Sequence, residues 1–290
     1  MKIGLMFKAG HGAMDIAPVA RAAEARGFGS LWVQDHVASP VDFERVVGDQ
    51  YEATPEDGDP YEQISVFASA MVTLARAAAV TERLKVGTAI CLPNLRNAIC
   101  LAQDVATLDR DSGGRFLFGV GGGWFREEME LLGGDYERRG RQLADSVAAM
   151  KALWTQDEAS HEGPYYNFSR VRLLPKPNQR PHPPIILGGE SPRIYDRVMR
   201  WADGWMPTIE SAAEYREKQA PLLEAAKRHG RDVSELMQVS YGVPRATRDV
   251  KELETLRELG VDHAIISLIA VDEDALREID ELEPLVRALA

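Results

Sequence analysis

Apolar runs of strand length alternate along this chain with longer stretches whose apolar positions recur every three or four residues. About eight such alternations occur, an order that predicts a parallel sheet whose strands are joined by crossover helices. The expected strands are Lys2–Phe7, Ser30–Asp35, Leu84–Cys91, Arg115–Gly121, Pro184–Gly189, Gly204–Pro207, Met237–Val243 and His263–Leu268. Ala, Leu, Glu and Arg in helical spacing mark Asp15–Arg26, Gln63–Val80, Asn97–Asp111, Ser211–His229, Val250–Leu259 and Glu273–Leu289. Eight is the strand number of a closed α/β barrel, so the expected architecture is a (β/α)8 TIM barrel formed by residues 1–290 as one domain. An open doubly wound sheet is the alternative.

Two connections exceed the usual loop length. Val37–Tyr61 carries Pro40, Pro55, Gly58 and Pro60 among many acids and reads either as a lid or as a surface excursion. Thr155–Pro183, an insertion between the fourth and fifth strands, holds Tyr165, Tyr166, Phe168, Arg170, Arg172 and Lys176 amid prolines. It reads as an ordered segment carrying aromatic and cationic contacts, or as a surface hairpin.

Composition narrows the partners. The 45% hydrophobic and 27% charged residues suit a globular chain, and 34 Lys plus Arg against 45 Asp plus Glu leave a formal charge of −11. That balance opposes attraction to nucleic acid or an anionic membrane and favours a small-molecule organic substrate. No apolar stretch approaches the roughly 20 residues that span a bilayer, and the chain runs directly into the strand-like Lys2–Phe7. Cys91 and Cys100 lack metal-site spacing. A cytoplasmic, reduced protein is expected, as a homodimer.

The chemistry-bearing residues cluster where strands end. Leu31-Trp-Val-Gln-Asp-His36 is an apolar run closing in an acid and an imidazole. An imidazole titrates near neutrality and an adjacent carboxylate can tune it, so Asp35 and His36 suit proton transfer; a turn with a helix cap is the plainer reading. Arg115-Phe-Leu-Phe-Gly-Val-Gly-Gly-Gly-Trp124 runs a strand into Gly121, Gly122 and Gly123. Backbone N–H groups there can approach a phosphate or a flat ring, though a tight strand-to-helix turn needs the same glycines. Trp124 stands where a dinucleotide fingerprint wants its third glycine. In Pro184-Ile-Ile-Leu-Gly-Gly-Glu-Ser-Pro-Arg193, Gly188 and Gly189 are followed by Glu190 and Ser191, and Ser191 is placed to cap a helix whose N-terminus would hold an anion. In a barrel these strand ends converge on one site.

Several of these segments resemble the bacterial luciferase-like flavin-dependent oxidoreductases, and within them the branch using the deazaflavin F420. The resemblance rests on Trp32-Val-Gln-Asp-His36, Val86-Gly-Thr-Ala-Ile90, Arg115–Trp124, Pro175-Lys-Pro177, Pro184–Gly189 and Ala202-Asp-Gly-Trp205, and covers nearly the whole chain. It implies a cofactor, F420 or alternatively FMN, lying across the C-terminal mouth of the barrel. Asp35 and His36 would flank its reactive face, with His36 as acid/base. It further implies a non-prolyl cis peptide at Ala89–Ile90 supporting the ring, with Gly121–Gly123 and Gly188–Ser191 along the cofactor's tail and phosphate. One departure stands out: where the F420-dependent sugar-phosphate dehydrogenases carry a glutamate after the strand-four glycines, this chain has Trp124. Hydride transfer between F420 and another small organic substrate is the expected reaction; an FMN monooxygenase and a flavin-binding protein without turnover are the alternatives. Arg126, Arg193, Arg170, Arg172 and Lys176 are expected near the mouth, where cations favour an anionic cofactor tail.

Overall fold

The computed structural model describes residues 1–38, 67–243 and 246–289. Four strands come first: β1 (Lys2–Met6), β2 (Ser30–Val33), β3 (Lys85–Thr88) and β4 (Phe116–Val120). An antiparallel pair follows, β5 (Ala159–Glu162) and β6 (Asn167–Val171), and then β7 (Ile185–Gly188), β8 (Gly204–Met206), β9 (Thr208–Ile209), β10 (Met237–Gly242) and β11 (His263–Ser267). The described helices are α1 (Ile16–Ala25), α2 (Ala70–Ala79), α3 (Ala98–Asp111), α4 (Arg126–Leu131), α5 (Arg139–Thr155), α6 (Ile194–Trp201), α7 (Ala212–His229), α8 (Val250–Glu258) and α9 (Asp274–Ala288).

Strands β1, β2, β3, β4, β7, β8 and β10 pair in sequence order, all parallel, and β11 pairs with both β10 and β1. His263 of β11 lies in register with Lys2 on one side and Val239 on the other, so the sheet is closed and the open doubly wound alternative is excluded. Every expected strand forms within its expected limits.

Closure explains why the strands read as continuous apolar runs: each is buried on both faces. One face fills the barrel. Met6, Trp32, Ala89, Leu117, Ile186, Met206, Val239 and Ile265, contributed by the eight strand positions in turn, form a single interior cluster. The other face, with Leu5, Leu31, Val33, Val86, Phe116 and Phe118, packs on the surrounding helices. Trp32 dictates two of its neighbours, because a Cβ on Gly87 would fall 2.4 Å from its ring and one on Gly4 would fall 2.8 Å from its Nε1.

Several expectations change at the helices and connections. The helix expected over Gln63–Val80 begins at Ala70 among the described residues; Phe67 instead bridges Gly10, and 63–66 lie outside the described residues. The long connection Val37–Tyr61 lies outside them from residue 39 onward. Helix α5 was not anticipated, although Leu143, Val147, Met150 and Trp154 mark its buried face. The insertion is a hairpin fastened to α5: the Tyr165 and Tyr166 N–H groups donate to Asp145 Oδ2 at 2.9 and 3.0 Å, and His161 Nε2 lies 2.8 Å from Asp145 Oδ1.

Candidate active site

The barrel's C-terminal mouth opens into a cavity of about 760 Å³. The ends of β1, β2, β3, β4 and β7 supply its lining, as the convergence of strand ends requires. Beyond Val33 the chain leaves the strand, and Gln34, Asp35 and His36 all contribute to the lining, Asp35 being the most buried of the three. His36 lies with its ring stacked on Phe67 (centroids 5.9 Å apart) and edge-on to Trp124 (6.1 Å).

The hydrogen bonds of the two side chains correct the idea that the neighbouring acid tunes the imidazole. Asp35 is almost fully buried and holds Arg96 through two hydrogen bonds, from Nη1 at 2.7 Å and Nη2 at 2.6 Å, while its Oδ2 also accepts from the Leu92 N–H at 3.1 Å. The carboxylate beside His36 is Glu128, whose Oε2 lies 2.7 Å from Nδ1 and whose Oε1 accepts from the N–H groups of Val37 and Ala38. Burial alone pushes the Glu128 carboxyl up. The hydrogen bonds from His36, Val37 and Ala38 outweigh it and hold the group below the ordinary carboxylate range. The nearby Cys91 is raised well above its ordinary value, first by burial and then by the Asp35 charge, so it stays a thiol.

The floor of the cavity is Ala89–Ile90, and the peptide between them is cis. The Ile90 side chain occupies the space above two glycines: a Cβ on Gly121 would fall 2.0 Å from Ile90 Cδ1, and one on Gly188 would fall 2.9 Å from its Cγ2. Gly121 therefore lies beneath Ile90 rather than on the lining, whereas Gly122, Gly123, Gly188 and Gly189 do line the cavity. Gly122 is the open position, with Arg139 Cγ at 3.8 Å as the only neighbour among the described residues within contact range of an added Cβ. Asn94 fixes it from below, donating through Nδ2 to the carbonyls of Gly122 (3.1 Å) and Arg139 (2.9 Å).

One wall is cationic, through Arg193 as expected and through Arg139 and Arg197, which the sequence does not single out. Arg139, Arg193 and Arg197 line it, and burial followed by the charges of Arg193 and Arg139 lowers Arg197 from its ordinary value. Three mutually repelling guanidinium groups at one wall make an anion-seeking surface. Of the other cations expected there, Arg126 is engaged by Glu130 and Glu137, Arg170 by Glu158, and Lys176 Nζ donates to the Leu153 and Gln156 carbonyls. Arg172 is exposed and off the lining. Ser191 lines the cavity but caps nothing through its side chain: α6 starts two residues later than expected, with Arg193 at its cap and the Ser191 carbonyl accepting from Ile194 N. Glu190 lines the cavity while turning its carboxylate to the Thr208 N–H and Lys218.

Sequence reasoning passed over Glu128, Arg96, Asn94, Arg139 and Arg197. Glu128 and Arg197 sit in helices with ordinary surface-like spacing, and only packing reveals their inward direction. Among the described residues, no group of three or more His, Cys, Asp or Glu side chains could hold a metal ion, and no helix is long and apolar enough to cross a membrane.

Residues 1–282 match the family model of luciferase-like monooxygenases. The chain is 39% identical over 158 residues to the FMNH2-dependent dimethylsulfone monooxygenase of Pseudomonas putida, covering 53% of this chain and 43% of that protein. Against the F420-dependent glucose-6-phosphate dehydrogenase of Amycolatopsis mediterranei it is 27% identical over 300 residues, covering 100% of this chain and 81% of that one. The barrel superposes on a solved F420-dependent secondary alcohol dehydrogenase with a TM-score of 0.78 at 20% identity, covering 100% and 99% of the two chains. With the family match spanning nearly every strand and helix of the barrel just described, the chain belongs to the luciferase-like monooxygenase family.

Proposed function

We propose that this chain is an oxidoreductase that binds F420 across the barrel mouth and transfers hydride between it and a small organic substrate, with His36 moving the proton. The observation that carries the reading is the make-up of the cavity, which brings together an imidazole, a wall with three arginines and the glycines that end β4 and β7, over the Ala89–Ile90 floor. The residues present fit an anionic, ring-bearing cofactor. Among the described residues, Gly122 leaves space where a side chain would stand, and Gln34 Oε1 is a buried acceptor on the lining without a hydrogen-bond partner. When bound in reduced form, F420 supplies a hydride.

The chain's own residues do the rest. Arg139, Arg193 and Arg197 would hold the phosphate-bearing tail, and Gly122, Gly123, Gly188 and Gly189 allow close backbone approach. Ile90, wedged over Gly121 and Gly188, provides a rigid support, and Asp35 stiffens that support through Leu92 N and Arg96. Phe67 and Trp124 beside His36 exclude water and suit an apolar substrate. His36 Nε2 would give a proton to a carbonyl oxygen on reduction, or take one from a hydroxyl in the opposite direction.

F420 is favoured by the full-length similarity to an F420-dependent dehydrogenase. The higher but partial identity to an FMNH2-dependent monooxygenase supports a second reading, in which reduced FMN meets O₂ in the same cavity. The paired His36 and Glu128 favour turnover over a binding protein without it. Absorbance titrations of the purified protein with F420 and with FMN, at low and moderate salt, separate the two. Tighter F420 binding that weakens with salt is expected; tighter FMN binding would overturn the preference.

A further inference from the structure

His36 has a defined partner at Nδ1, and it is brought from the other side of the mouth. Helix α4 is anchored by Met129, which packs with Leu92 and Leu95. That anchoring leaves Glu128, the residue before it, aimed at the end of β2. The Glu128 carboxylate is only 1% exposed, and both oxygens are used: Oε2 by His36 Nδ1 at 2.7 Å, Oε1 by Val37 N at 2.5 Å and Ala38 N at 3.1 Å. A carboxylate fixed by two backbone N–H donors has no proton to offer, so the proton of this bond sits on His36 Nδ1. The ring plane is fixed separately, by the stack on Phe67 and the edge contact with Trp124.

We propose that Glu128 is the positioning residue of the reaction: it locks His36 in the tautomer protonated at Nδ1, leaves Nε2 for the cavity, and holds the imidazolium that forms when Nε2 takes a proton. This rests on His36 being the acid/base group. Buried second carboxylates that orient a histidine in this way lower turnover sharply when neutralised, because the wrong tautomer becomes accessible.

The other charged groups facing the pair do not substitute for Glu128. Asp35, from the end of β2, is neutralised by Arg96 from the turn after β3. Arg126, on α4 itself, is taken by Glu130 and Glu137. Lys8 from the end of β1 and Arg139 from α5 line the cavity as cations, and they work against an imidazolium rather than for it.

Two measurements test the role, one without cofactor or substrate. Nitrogen-15 NMR of His36 in the ligand-free protein should show Nδ1 protonated, and in Glu128→Gln the ring resonances should move toward the tautomer protonated at Nε2 as the anionic partner is lost. In steady-state assays of reduced-F420 oxidation with a panel of aldehydes and ketones, Glu128→Gln should lower kcat at least tenfold with KM little changed, and His36→Ala should lower it by about 10²–10⁴. Glu128→Asp, which keeps the charge on a shorter reach, should change the tautomer less and retain intermediate kcat; it carries the test if the Gln variant does not fold. Full turnover in His36→Ala overturns the acid/base assignment. An inactive His36→Ala together with a Glu128→Gln of wild-type kcat and wild-type His36 tautomer overturns the positioning role alone.

Discussion

At the scale of single residues, Gly122 is where this site is most easily probed. Among the described residues, a Cβ there meets only Arg139 Cγ at 3.8 Å, so Gly122→Val should fold normally while projecting into the cavity. Binding of F420 or FMN should weaken at least tenfold, with an unchanged thermal midpoint; undiminished binding removes Gly122 from the cradle. Asp35 behaves in the opposite way. Its carboxylate is buried against Arg96, and removing one partner of a buried pair leaves the other uncompensated. Asp35→Ala should cost about 2–4 kcal/mol in urea unfolding, the upper range for such pairs being reduced here because Arg96 is partly exposed. A cost below about 1 kcal/mol would place the pair among the weak surface bridges. The sequence displays Asp35 and His36 side by side, yet they take different partners, Arg96 and Glu128, and only packing across the mouth shows which.

Among elements, the decisive contacts are those between strand ends. The turn after β3 places Ile90 over the glycines that end β4 and β7, so three segments distant in sequence are matched by one side chain. Gly121→Ala should therefore destabilise the barrel by about 1–3 kcal/mol through overpacking. Adding Ile90→Val, which removes the Cδ1 that the new Cβ would meet at 2.0 Å, should recover part of that loss, whereas strictly additive unfolding energies would show that the contact is not the cause. The glycine runs were visible in the sequence as strand-end punctuation. Their division of labour was not, since a glycine that admits a ligand and one that admits an isoleucine look alike until the opposing strand is known. The same holds for α4 and α6: their starts depend on where the preceding loop packs, which is why the Ser191 cap does not form.

For the molecule as a whole, closure runs through β11, and His263 sits at that seam with Ser30 Oγ 3.2 Å from its Nδ1 and Trp32 edge-on to its ring. Burial, reinforced by Lys85, the N-terminus and Lys2, lowers its pKa from 6.5 to about 4. The unfolded chain therefore binds the extra proton first as pH falls, so stability is full above pH 6.5, declines between about 6.5 and 4, and is flat with respect to this group below that. The decline should reach about 3 kcal/mol, and His263→Gln should remove that slope from urea unfolding measured at pH 7.5, 6 and 5. Identical slopes in the two proteins would assign the acid sensitivity elsewhere. What the sequence determined by itself was the alternation of eight strands with helices, because local hydrophobic period depends only on which faces will be buried. It also placed the chemistry at strand ends, since a parallel barrel leaves only those ends free to converge. The tertiary structure alone decided which carboxylate meets His36, which arginines face the cavity and which glycines hold Ile90. Those choices depend on the direction of side chains across elements far apart in the chain, and no local period carries that information.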